Sequence, residues 1–200
     1  MIDAKEHKWL EIMHIKIGED FSDCDLKFLR DHLTLLDSRW DEIQKRIDEC
    51  TDPESAGLFD EGEYLVGMGF TACQQYLSAT YGPLGVKKEA ALTVGPHHTS
   101  GQTYARLLNA AANYWKHMEE WDSIAVIARN VDALKKIQKQ TVRIIEFVTP
   151  WSDYTCANLL FELTIPELRL SSLIPKLEDW RRQLDAAYSG TNRSILRGEV

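Results

Sequence analysis

The sequence predicts an all-α fold, an antiparallel bundle of five to seven helices. Apolar residues recur at intervals of three and four through several long segments, and Pro and Gly cluster in the stretches between them. Of the 200 residues, 44% are hydrophobic and 27% are charged, which is typical of a globular chain with one packed core. We therefore expect a single helical domain over residues 1–200, with an N-terminal arm over 1–20 and a frayed tail over 189–200.

The first long helix is predicted over residues 23–50. Ser22, followed by Asp25, is its expected N-cap. A helix of a bundle is favoured over a free-standing coiled coil, because a seam of about three heptads usually packs within its own chain. Residues 1–17 fit either a helix or a strand. The apolar residues of the first helix form one seam, made of Leu26, Leu29, Leu33, Leu36, Trp40, Ile43 and Ile47.

A loop over residues 51–62 leads to a second helix, predicted over 63–81. This helix contains Gly67 and Gly69, each of which costs about 1 kcal/mol relative to Ala in a helix interior. That cost is tolerated where another backbone comes close. One face carries uncharged polar groups where a solvated face would carry Lys and Glu. These residues are Thr71, Gln74, Gln75 and Ser78.

Five further helices follow in the sequence. Thr99 or Ser100 is the expected N-cap of the second of them, and Ser152 that of the fourth. Pro175 is expected to kink or restart the last. In the third, Ile137 and Thr141 lie on the apolar face. The predicted ranges are 86–93, 101–121, 132–148, 154–163 and 166–188.

The helix over 101–121 carries a narrow polar stripe. At about 100° per residue, its polar side chains fall within an arc of roughly 100°, and nearly all of its other residues are apolar. Such a helix is expected to be central, with neighbours on most sides. The side chains of the stripe either bond to the ends of neighbouring helices, or line the one solvated edge of a buried helix, or converge on a shared groove. Its members are Gln102, Arg106, Asn109, Asn113, Lys116, His117 and Glu120.

The composition excludes several classes of protein. A net charge of −8, from 31 acidic and 23 basic residues, argues against a duplex-coating surface and leaves room for a local basic patch facing RNA. Four cysteines without a CxxC pair favour a reducing cytoplasm over a disulfide scaffold or zinc site. The sequence contains no run of about 18 apolar residues, so it predicts no membrane span. We expect no metal and no cofactor, because Glu11-x-x-His14 has no second such pair and no phosphate-loop motif occurs.

The string from Asn113 to His117 resembles the end of the RNxxxH form of the R-x4-6-H motif of the HEPN superfamily. Members of that superfamily are all-α bundles, commonly metal-independent endoribonucleases of toxin–antitoxin and anti-phage systems, and they usually act as dimers. The resemblance covers about a dozen residues strongly and the helical plan loosely. It departs from the family at the motif Arg, because Ala110, Ala111 and Ala112 occupy the positions where that Arg belongs.

The resemblance implies an RNA-directed module with a catalytic site at His117, Asn113 and Lys116. His117 is then the base or acid, and Asn113 orients the phosphate or the imidazole. Lys116 or Arg106 supplies the cation in place of the missing Arg. The residues expected to bind substrate are Arg106, Asn109, Glu120, His98 and Gln74.

The expected partners are a second copy of the chain, RNA or a nucleotide, and a protein of a prokaryotic defence system, without a membrane. Two other functions stay open from the sequence. One is a non-catalytic helical interaction or dimerisation protein, in which the stripe forms the interface. The other is a nucleotide sensor that uses the same groove.

Overall fold

The computed structural model describes residues 14–17, 20–121 and 123–196, and the protein is an all-α helical bundle, as predicted. Eight α-helices lie in this part of the chain, one more than the segments predicted from the sequence, because residues 123–127 form an additional short helix. They are α1 (Cys24–Glu49), α2 (Leu58–Tyr81), α3 (Lys88–Leu92), α4 (Tyr104–His117), α5 (Ser123–Ile127), α6 (Lys136–Ile145), α7 (Thr155–Thr164) and α8 (Ile174–Leu196).

A short antiparallel hairpin precedes the bundle. Strand β1 (His14–Ile17) pairs with β2 (Asp20–Asp23), and His14 lies opposite Asp23. The segment that fitted a helix or a strand is therefore extended over 14–17. Residues 1–13 and 18–19 of the predicted arm lie outside the described residues.

Helix α1 follows the predicted seam. Five of the seven seam residues are buried, and the other two, Trp40 and Ile47, are partly buried against the same core. The seam packs within the chain, against α2 and α8. The N-cap is Asp23 instead of Ser22, because the Asp23 carboxylate accepts a hydrogen bond from the backbone N–H of Leu26 at 2.8 Å.

Helix α2 begins at Leu58, earlier than the predicted residue 63. Its glycines admit neighbouring side chains instead of a neighbouring backbone, which corrects the sequence interpretation. The indole of Trp115 packs over Gly67, and the side chain of Leu170 packs over Gly69. The missing Cβ atoms therefore make room for two large apolar groups.

Helix α4 is central, as predicted. It packs against α2, α3, α6, α7 and α8, and its apolar side chains are buried. Its N-cap is Thr103 instead of Thr99 or Ser100, because Thr103 Oγ1 accepts from the backbone N–H of Arg106 at 3.2 Å. The α-helix ends at His117, and a 3₁₀ turn over Met118–Glu120 replaces the predicted last turn.

Helix α7 receives its cap from another helix. The buried carboxylate of Glu63 on α2 accepts hydrogen bonds from the backbone N–H groups of Cys156 and Ala157, each at 2.8 Å. The predicted cap, Ser152, instead donates its hydroxyl to the Asp153 carbonyl. A carboxylate that approaches from a neighbouring element thus satisfies the first N–H groups of the helix.

The turn before α8 is capped in the same way. Asp37 on α1 is buried and accepts from the backbone N–H groups of Leu170 and Ser171, at 2.7 and 3.1 Å. Residues 170–173 form a 3₁₀ turn, and a new α-helix starts beside Pro175, so the predicted restart is confirmed. Helix α8 extends to Leu196 and so includes part of the predicted tail.

None of the described helices combines the length and apolar character needed to cross a bilayer.

Candidate functional site

A groove with two lobes runs between α4 and α6. The inner lobe, of about 540 Å³, also reaches α3, and the outer lobe, of about 580 Å³, extends past the end of α4. Asn113, Ile137 and Thr141 line both lobes. The two lobes are therefore neighbouring parts of one surface, about the size that small-molecule sites have.

The polar stripe of α4 faces this groove. Arg106, Asn109 and Asn113 line the inner lobe, while Asn113, His117 and Glu120 line the outer lobe. The structure thus brings together five of the residues singled out from the sequence. Asn113 and His117 share one lobe, as the interpretation of the stripe as a groove requires.

A chain of hydrogen bonds behind the stripe fixes its amides. Lys116 Nζ donates to Gln74 Oε1, and Gln74 Nε2 donates to the Oδ1 atoms of Asn109, at 2.9 Å, and Asn113, at 2.8 Å. An ammonium group can only donate, so it fixes which end of the Gln74 amide faces it. The Nε2 end must then face both asparagines, and each asparagine must present its oxygen to Gln74.

The other end of each asparagine amide is left for the groove. Within the described part of the chain, neither the Asn109 Nδ2 nor the Asn113 Nδ2 has a hydrogen-bond partner. Both residues are half-buried and line the inner lobe. Asn109 and Asn113 therefore offer two N–H donors to the inner lobe, while their oxygens already accept from Gln74.

Basic side chains predominate in both lobes. Lys88 and Arg106 line the inner lobe with one acid, Glu89, while Lys135 and Lys136 line the outer lobe with one acid, Glu120. None of these four basic side chains forms an ion pair within residues 23–121 and 125–188. A groove with this balance attracts anions, although the whole chain is acidic.

The pKa of Lys116 reflects the same concentration of positive charge. Partial burial lowers it below its usual value of 10.5, and the nearby charge of Lys88 lowers it further.

His117 and Glu120 form a pair at the end of α4. His117 Nδ1 lies 3.1 Å from Glu120 Oε1, and the 3₁₀ turn brings the two together across three residues. The His117 side chain is 51% exposed, and its Nε2 has no partner among the described residues. A carboxylate that accepts a hydrogen bond from Nδ1 favours the tautomer with its proton on Nδ1, in which Nε2 can accept a proton.

Three predicted site residues do not line the groove. Gln74 and Lys116 lie behind it, in the chain of hydrogen bonds that orients the asparagines. His98 is not brought to the groove. Its loop closes through a bridge between His97 and Thr103, and the His98 ring contacts Ser100 and Tyr104 instead.

The contribution of α3 and α6 to the site was not predicted from the sequence. Lys88, Lys135 and Lys136 line the groove, and Ile137, which was expected on a buried face, is 76% exposed at the junction of the two lobes. One signal was present: residues 135 and 136 form a pair of lysines at the start of an amphipathic helix.

Among the described residues, no group of three or more His, Cys, Asp or Glu side chains is placed to hold a metal ion. No family model, no curated protein and no solved structure matches the chain.

Proposed function

We propose that the protein binds RNA in the groove between α4 and α6 and cleaves it with His117 as the proton-transfer group. The observation that carries this proposal is the pairing of His117 with Glu120 in a lobe lined by Lys135 and Lys136. It combines a candidate base, contacted by a carboxylate at Nδ1, with cations for a phosphate.

The chemistry is an internal transfer at phosphorus. His117 Nε2 takes the proton of a 2′-hydroxyl, whose oxygen attacks the adjacent phosphorus. The bond from phosphorus to the 5′-oxygen breaks, that oxygen takes a proton from solvent water, and the protonated His117 returns its proton to solvent. The products are a 2′,3′-cyclic phosphate and a 5′-hydroxyl.

The positive charge at the reacting phosphate comes from α6 in this proposal. Lys135 and Lys136 line the lobe that contains His117, whereas Lys116 donates to Gln74 behind the groove. Lys135, the N-cap of α6, and Lys136 thus supply the charge that an Arg supplies in the HEPN motif. Cleavage of this kind suits a cytoplasmic toxin or anti-phage ribonuclease that acts as a homodimer, with the HEPN-like plan that the motif suggests.

The test is incubation of the purified protein with total RNA in EDTA. Wild type should cleave, and His117→Ala should lose about 100-fold or more of the rate, the usual contribution of a general base. His32→Ala is the matched control, because His32 is exposed on α1 and lies outside the groove. Absence of RNA cleavage by the wild type, or equal rates in wild type and His117→Ala, contradicts the catalytic role.

A nucleotide sensor that uses the same groove is the second candidate. It is favoured by the absence of the family Arg, because Ala110, Ala111 and Ala112 occupy the positions where that Arg belongs. A nucleotide that co-purifies with the protein, without RNA cleavage, identifies the sensor. Loss of a dimer on gel filtration in His117→Ala, again without cleavage, identifies the non-catalytic interaction protein.

A further inference from the structure

The hydrogen bonds of Gln74 determine whether the two asparagines present donors or acceptors to the inner lobe. Gln74 is buried, at 8% exposure, and its Nε2 is committed to the two asparagine oxygens. Asn109 and Asn113 can therefore offer only donors to the groove. A free asparagine could turn either end outward, so Gln74 removes that ambiguity.

We propose that the inner lobe is a phosphate subsite, in which the Nδ2 groups of Asn109 and Asn113, oriented by Gln74, bind phosphate oxygens beside Arg106 and Lys88. The inference deepens the proposed function and rests on it for the source of the phosphate, an RNA backbone. Gln74 is a positioning residue in this arrangement, since it acts through the two asparagines.

The chemistry of the lobe selects the ligand class. Its donors are two neutral amides, a guanidinium and an ammonium group, opposed by the single carboxylate of Glu89. The non-bridging oxygens of an RNA phosphodiester only accept hydrogen bonds, and they bind guanidinium groups in paired geometry. The edge of a base presents donors as well as acceptors, so it matches a set of donors less well.

The subsite lies away from the reacting end of the groove. His117 lies eight positions after Asn109 and four after Asn113, which is about 12 Å and about 6 Å along the axis of α4. A phosphate held in the inner lobe therefore belongs to a different nucleotide from the one that reacts beside His117. The substrate must extend along α4 to reach both lobes.

Gln74→Glu tests this arrangement, because it should make the two asparagines present acceptors instead of donors to the inner lobe. The glutamate side chain matches glutamine in size and still accepts from Lys116, but it cannot donate to the asparagines. Asn109 and Asn113 then turn their Nδ2 groups toward residue 74 and their oxygens toward the groove. Gln75→Glu is the matched control, because it adds the same charge at an exposed neighbour that lines a separate groove.

The measurement is titration of the folded protein with inorganic phosphate, followed through the side-chain amide NMR signals of the two asparagines. In wild type both signals should shift. Affinity should fall about tenfold or more in Gln74→Glu, the size expected when a hydrogen bond to a charged group is lost, and stay unchanged in Gln75→Glu. Arg106→Gln, which leaves Gln74 untouched, should weaken phosphate binding similarly.

Two results would overturn the subsite. In one, phosphate leaves the signals of Asn109 and Asn113 unmoved in the wild type. In the other, Gln74→Glu binds phosphate as tightly as the wild type does. Phosphate binding without RNA cleavage would instead contradict only the proposed catalysis, so the two failures are distinguishable.

Substrate length separates an RNA backbone from free phosphate as the source. If the ligand is RNA, oligonucleotides that span both lobes should compete with inorganic phosphate, and Gln74→Glu should raise their KM while leaving kcat unchanged. Longer oligonucleotides with no advantage over a dinucleotide would overturn the assignment to an RNA backbone.

Discussion

Trp115 occupies the space that a side chain on Gly67 would need. A Cβ atom at residue 67 would lie 2.1 Å from the indole Cδ2 of Trp115, far inside any normal contact. Because α2 and α4 form the centre of the bundle, this contact sets how closely the helix that carries Gln74 approaches the helix that carries the asparagines.

We expect Gly67→Ala to destabilise the protein by about 1–3 kcal/mol, as overpacked cores do, and this outweighs the roughly 1 kcal/mol that Ala gains in helix propensity. Urea denaturation measures the change. In a double-mutant cycle, Trp115→Leu should relieve part of the loss. A Gly67→Ala protein as stable as the wild type would show that the indole moves aside freely.

Glu63 should make stability depend on pH. Burial raises the pKa of its carboxyl above the usual 4.5, although the N–H groups of Cys156 and Ala157 oppose the shift. A raised pKa in the folded state means that the contribution of Glu63 is complete below the usual value and is lost as pH rises through the raised one.

The free energy of unfolding of wild type minus that of Glu63→Gln should therefore fall as pH rises through this window, and then level off. Denaturation curves at a series of pH values measure it. Glu54→Gln, at an exposed loop carboxylate, is the control and should show a flat difference. A difference for Glu63→Gln that grows with pH would contradict a raised pKa of Glu63 in the folded protein.

Asp37 should contribute more to the free energy of unfolding than the other acidic residues of α1. Replacing it with Asn leaves one of the two N–H groups, of Leu170 or Ser171, without its acceptor, and we expect a loss of about 1–3 kcal/mol. Asp31→Asn, on the exposed side of the same helix, is the matched control and should change stability by less than about 0.5 kcal/mol. Equal denaturation midpoints for the two variants would contradict the capping role.

Ile137 should matter for ligand binding and little for stability. It is 76% exposed where the two lobes meet, so Ile137→Ser should change the free energy of unfolding by no more than about 0.5 kcal/mol. We expect it to weaken RNA binding, because the apolar contact with the ligand is lost. Ile127→Ser, at an isoleucine that is 82% exposed outside the groove, is the control for fluorescence-anisotropy titrations. Equal RNA affinity in both variants would argue against contact with Ile137.

The helices and the polar stripe could be predicted because their signals are local. The spacing from Leu26 to Ile47 marks a buried face on its own, and the uniform apolar surround of Asn109 and Asn113 marks a central helix with one polar edge. Gln74 was noted for the same reason, as an uncharged polar residue where a charged one is usual.

What could not be predicted depends on contacts between distant segments. The pairing of Gln74 with two asparagines on α4, and the caps that Glu63 and Asp37 provide, join residues that local periodicity cannot relate. Ile137 followed the apolar pattern of α6, yet α6 borders a groove, so part of that face is exposed. A carboxylate on the buried side of α2, such as Glu63, is itself a signal that backbone donors lie nearby.

The two capping carboxylates also have a consequence for how the chain is made. Glu63 and Asp37 precede the N–H groups they satisfy by 93 and 133 residues. During synthesis on a ribosome, the N-terminal part of a chain emerges first. Both acceptors therefore leave the exit tunnel before their donors, and the last third of the polypeptide can dock onto helices that are already in place.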